Sequence, residues 1–124
     1  MSTLTQGRQD LVDAYRAAGI DAYTFTPPTV IPPIVTVLPA SSWIEPSRVG
    51  HFAAKVDLSV TVYVGLIDSS TALEQLEQVL EDVITATPSG VLITSIDAPR
   101  VDSTSSQGDL LASDLTITTQ IRST

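Results

Sequence analysis

The sequence has no cysteine, one tryptophan, one histidine, and six basic residues against fourteen acidic ones. The missing cysteine excludes a disulfide framework and any thiolate metal site, and it removes the commonest soft nucleophile. The shortage of lysine and arginine leaves a formal charge of -8. Nucleic-acid phosphates are repelled by such a surface, which argues against sequence-specific DNA or RNA binding. His51 has no second histidine with which to share a metal, and reads as a polar loop residue. No apolar run is long enough to cross a bilayer, and "MSTLTQGRQDL" lacks the basic-then-apolar order of a secretory signal. No GxxxxGK or GxGxxG phosphate loop and no GxSxG turn occurs. A serine triad would need His51 plus a serine and an acid that nothing in the sequence singles out. An enzymatic reading therefore has no anchor, and no cofactor or metal is expected.

What remains is a chain of 124 residues, 43% hydrophobic, the size of one domain with one shared core. Its acids are spread along the chain, as on a solvated surface that aids solubility, with no acidic tail. "TLTQGRQDLVDAYRAAGI" sets Leu4, Leu11, Val12, Tyr15 and Ala18 near one side of a helix. Gly19 supplies the left-handed residue of a helix stop, and Ile20 folds back toward Tyr15. Gly7 lowers helix propensity by about 1 kcal/mol relative to alanine, so the first turns are expected to fray.

"FTPPTVIPPIVTVLP" surrounds a strand-like stretch with prolines. Proline fixes its own φ and extends the residue before it, so the segment up to Pro33 reads as a stiff connector, Ile34 to Leu38 as a short strand, and Pro39 as its end. "KVDLSVTVYVG" alternates Val56, Leu58, Val60, Val62 and Val64 with Lys55, Asp57, Ser59, Thr61 and Tyr63. That period of two predicts a long strand with one wet face, which protrudes beyond the sheet or pairs with another subunit. In "DSSTALEQLEQVLEDVITA", Thr71 and Glu74 fit a capping box, with Asp68 or Ser70 as rival caps. Leu73, Leu76, Leu80, Val83 and Ile84 form the stripe expected to pack on the sheet. "VLITSID" and "SDLTITTQIR" read as two further strands, joined by a polar, mobile loop from 98 to 109. The expected fold is α+β: two helices on a four-stranded, largely antiparallel sheet, in the order α-β-β-α-β-β.

Several segments together carry a resemblance: "LVDAYRAAGIDAY", the proline-rich entry "IPPIVTVLPASSWIEP", the alternating strand closing on "VYVG", and the helix "ALEQLEQVLEDVI". Over roughly residues 8 to 122 the chain resembles the tail-terminator (tail-completion) proteins of long-tailed bacteriophages, in particular those infecting actinobacteria. The resemblance is one of pattern and order, and the proline pair before a hydrophobic strand, followed by "LP" and an aromatic, is its most specific part. It implies a structural virion protein whose copies form a ring, commonly a hexamer. Such a ring caps the finished tail tube, stops its growth and offers the head-joining surface. It also implies as partners further copies of the chain, the tail tube protein and a head-completion or connector protein, with DNA passing through the ring and no cofactor. The location implied is the head-proximal end of the virion tail, and the host cytoplasm during assembly. Rival readings are another head-tail connector or tail-tube protein, or a small ligand-binding or enzymatic α+β domain with a pocket between helix and sheet. The candidate interface residues are Trp43, Ile44, Arg48 and His51 in "SSWIEPSRVGHF", together with Arg100 and Asp102. Trp43 reads equally as a core plug or as an anchor for a neighbouring subunit or the tube.

Overall fold

Hydrophobic alternation over residues 55–64 is realised as the central strand of a mixed sheet. The computed structural model describes residues 2–28, 31–46, 53–66, 68–103 and 108–122. In chain order these form α1 (Thr3–Ala17), β1 (Ala22–Tyr23), β2 (Ile34–Pro46), β3 (Ala53–Gly65), α2 (Ser69–Ala86), β4 (Leu92–Ile96), β5 (Arg100–Asp102) and β6 (Leu110–Arg122). The sheet runs β1-β2-β3-β6-β4, and β5 pairs with β6. β1 is parallel to β2, and the other pairs are antiparallel. The expectation of four strands in the order α-β-β-α-β-β is thereby corrected to six strands among the described residues, in a mixed sheet. The two additional strands, β1 and β5, are two and three residues long, too short to display a period of two. β5 lies inside the connection from 98 to 109 that reads as loop in the sequence.

β3 does not protrude. It is paired along its whole length with β6, from Ala53 opposite Arg122 to Gly65 opposite Leu110, and with β2 on its other side. Val56, Leu58, Val60, Val62 and Val64 are buried in one core with Leu11, Val12 and Tyr15 of α1 and Ala72, Leu76 and Val83 of α2. Both helices therefore cover the same face of the sheet. The other face carries the polar positions Lys55, Asp57 and Ser59, although Thr61 in that row is buried.

Pro39 does not end β2. It pairs with Leu58, and a register shift between Pro39 and Ile44 precedes the resumed ladder at Ile44–Val56, which continues to Pro46. β1 covers β2 only at Val35 and Thr36, so Pro39 lies beyond that cover, where a missing N–H costs no ladder bond on the β1 side.

α1 starts on Ser2, whose Oγ accepts from Thr5 N at 3.0 Å. It stops as its sequence predicts: Gly19 has φ 85°, and the amides of Gly19 and Ile20 donate to the carbonyls of Arg16 and Tyr15, each at 3.0 Å. Ala18, expected on the apolar side, is exposed. Gly7 has a packing role, since a Cβ there would lie 2.6 Å from Ile121 Cδ1; its bare Cα lets α1 lie against β6.

α2 is capped by Asp68, the rival cap, whose carboxylate accepts from Thr71 N at 3.2 Å and Thr71 Oγ1 at 2.9 Å. Its buried line is Ala72, Leu76 and Val83, with Val79 and Leu80 partly buried. Leu73 and Ile84 are each 43% exposed. Each follows a buried residue by one position, which turns it about 100° round the helix, so the expected stripe is corrected by a rotation toward Ala72. Among the described residues no helix is long and apolar enough to cross a membrane.

Candidate assembly surfaces

The candidate interface residues fall in separate places. Trp43 lies in the irregular part of β2 and is 39% exposed, so it belongs to a strand and not to the connecting loop. Ile44 pairs with Val56 and packs against the core. Arg48 and His51 lie outside the described residues. Arg100 and Asp102 lie in β5, with β3 and β6 between them and β2. The structure therefore does not bring Trp43 and Ile44 together with Arg100 and Asp102.

Arg100 and Asp102 belong to a polar network on the face away from the helices. Ladder register sets Thr36, Thr61 and Asp114 side by side, and Tyr63 beside Ala112 and Arg100. The Arg100 guanidinium donates to Asp114 through Nε at 3.2 Å and Nη2 at 3.4 Å. Thr61 Oγ1 donates to the same carboxylate at 2.7 Å, and Asp102 Oδ2 lies 4.0 Å from Arg100 Nη1. Burial pushes the Asp114 carboxyl up, but the hydrogen bonds from Arg100 and Thr61 outweigh it and hold the group below the usual carboxylate range. Burial, and then the negative charge of Asp102, push the Tyr63 phenol up. These groups satisfy one another, so the network's evident work is to fasten the three-residue β5 across β6 to β3. Thr36 Oγ1, buried in the same row, has no hydrogen-bond partner among the described residues.

Half of the large apolar side chains left in solvent lie at the sheet's two lateral edges. Leu92 (64% exposed), Ile96 and Val101 line the β4–β5 side, while Phe25 lies beside Tyr23 of β1. They are four of the eight such residues described, the others being Ile31, Trp43, Leu73 and Ile84. Singly exposed apolar residues are ordinary; grouping at element edges is what an interface shows. "LITSI" in β4 carries no charge and no proline, so its sequence reads as a buried strand and does not mark the edge.

The two ends differ in their backbone. The Asp21 carbonyl accepts from Val35 N on the β2 side, so by strand alternation the carbonyl of Ala22 points outward. It is already occupied: Arg16 Nε donates to Ala22 O at 2.9 Å, and just past the strand Arg8 Nη1 donates to Thr24 O at 2.7 Å. The Arg16 guanidinium also stands 5.6 Å from the centre of the Tyr23 ring, which meets the Phe25 ring edge-on at 5.9 Å. The β4 end keeps its outer backbone uncovered among the described residues but is only five residues long and irregular between Ile93 and Ser95, two devices that discourage strand addition.

A cleft of about 750 Å³ opens between the first turns of α1 and the end of the sheet, floored by Leu11, Leu58, Val91, Ile117 and Ile121. Gln6, which donates to Asp10 at 2.7 Å, stands at its rim. No cluster of metal-ligating side chains occurs among the described residues. Compared with models of known protein families and with curated protein sequences, the chain matches none.

Proposed function

We propose that this chain is a structural subunit of a long-tailed phage, assembling with copies of itself into a ring that closes the head-proximal end of the tail tube, ends its growth and presents the surface to which the head joins. The observation that carries the reading is the distribution of exposed apolar side chains. Phe25 lies beside β1 at one edge of the sheet, and Leu92, Ile96 and Val101 lie at the other. A subunit with two different adhesive sides associates head to tail, and a head-to-tail contact closes into a ring when its rotation permits. The resemblance in the proline-rich entry, the long alternating strand and the second helix supports the same assignment. The acidic composition suits a lumen through which DNA passes without sticking.

A second reading, a small-molecule-binding domain, is favoured by the cleft beneath α1, which lies between helix and sheet and has an apolar floor with a polar rim. A phage deleted for this chain separates the two. The ring reading expects tails of uncontrolled length that fail to join heads, restored by supplying the chain in trans. Tails of normal length on finished virions would refute it.

A further inference from the structure

The geometry points to one particular self-contact: the β1-side surface of one copy, carrying Phe25 with Arg8 and Arg16, seats on the β4–β5 edge of the next copy. This rests on the reading of the chain as a self-assembling subunit and specifies which surfaces meet. Three observations select a second copy of this chain as the occupant. The first is apolar complementarity, since each end of the sheet presents large side chains with no cover among the described residues.

The second is charge. A chain of formal charge -8 repels its own copies over most of its surface, so approach is favoured only where local charge is complementary. The β1 side offers Arg8 and Arg16, two of the six basic residues of the whole chain, against Asp21 beside Tyr23 and Asp13, three positions before Arg16 on α1. The β4–β5 side offers Asp97, Asp102, Asp109 and Asp114 against Arg100 alone. Two cations therefore lie at one edge of the sheet and a surplus of carboxylates at the other.

The third is the state of the backbone. Arg16 occupies the outward carbonyl of Ala22 in β1 and Arg8 that of Thr24 just past it, and β4 is short and irregular. Neither end is prepared for open-ended strand addition, so the contact is made by side chains, and the sheet does not run continuously from copy to copy. Because the meeting surfaces differ, the contact is heterologous and repeats from copy to copy.

The absence of cysteine makes the test clean. Phe25→Cys and Ile96→Cys are made in separate chains at solvent-exposed positions, checked for melting like the parent, mixed, and oxidised mildly. A pairing of Leu73→Cys with Ile96→Cys serves as control. The contact expects the 25–96 heterodisulfide to exceed the control by about tenfold, and its yield to fall as salt is raised from about 0.1 M to 1 M, where screening shortens from about 10 Å to 3 Å. Yields equal to the control, or a predominant 96–96 homodimer, would overturn it. The broader reading fails separately: a 25–96 crosslink in a chain that does not end tail growth would remove the tail role and leave the contact. Normally capped tails from chains that never crosslink through 25 and 96 would remove the contact alone.

Discussion

Replacing Gly7 with alanine tests whether α1 is seated on β6 as described, because the substitution sets two effects of similar size against each other. Alanine in a helix interior is favoured over glycine by about 0.8–1.0 kcal/mol. The new Cβ, however, would stand 2.6 Å from Ile121 Cδ1, where about 3.5–4.0 Å is ordinary contact. Ile121 is only 8% exposed, so it yields by leaving its rotamer well, at about 0.5–1.5 kcal/mol. The net effect of Gly7→Ala in the parent therefore lies between about 0.5 kcal/mol stabilising and about 0.7 kcal/mol destabilising. Ile121→Val removes Cδ1, and the next atom, Cγ1, lies at an ordinary 3.5 Å. That change alone costs about 0.5–1.5 kcal/mol, but in its background Gly7→Ala stabilises by nearly the full propensity gain. A double-mutant cycle by guanidinium denaturation should show a coupling of about 1 kcal/mol. Full stabilisation by Gly7→Ala in the parent, or equal effects in both backgrounds, would refute the close approach.

The rotated stripe of α2 predicts that Leu76→Ala costs about 2–5 kcal/mol and Leu73→Ala under about 1; the reverse order in chemical denaturation would contradict it. Burial pushes the Asp114 carboxyl up, and the Arg100 and Thr61 hydrogen bonds bring it below the usual range. A depressed folded pKa contributes stability that is present above the unfolded value of about 3.9 and is lost as pH falls through the lower folded value. Asp114→Asn should therefore abolish that part of the parent's loss of melting temperature below about pH 4, and superimposable acid profiles would refute the network. Trp43→Ala, at a position 39% exposed, should cost well under the about 3–5 kcal/mol of a fully buried tryptophan while weakening self-association. A loss in the full range with association unchanged would place Trp43 in the core.

The parts legible in the sequence were those where one face alone is buried. β3 shows its alternation because its valines meet both helices while Lys55 and Asp57 meet solvent, and the stop of α1 follows from a glycine whose left-handed φ the helix end requires. Pro39 misleads because its cost depends on a neighbour: beyond the two residues of β1, nothing among the described residues pairs with that side of β2 and asks for its amide. The stripe on α2 was misplaced because leucine at 73 and isoleucine at 84 satisfy helical spacing as well as alanine at 72, and spacing does not say which side chains a sheet covers. β1 is specified by tertiary contacts, the Arg16 and Arg8 side chains reaching from α1 to the carbonyls of Ala22 in the strand and of Thr24 just past it. Among the candidate site residues, Arg100 and Asp102 proved to be partners in one network, a pairing that depends on β5 lying beside β6 and that no local pattern displays. The edge residues Leu92 and Ile96 were invisible as surface features because an uncharged strand reads as buried until its place in the sheet is known.

Self-assembly into a closed ring is tested most directly by native mass spectrometry and negative-stain electron microscopy of the purified chain, alone and mixed with tail tubes. The account predicts a closed ring of one defined copy number, formed in solution or on the tube's end. A chain that stays monomeric at high concentration and leaves tube ends bare would contradict it.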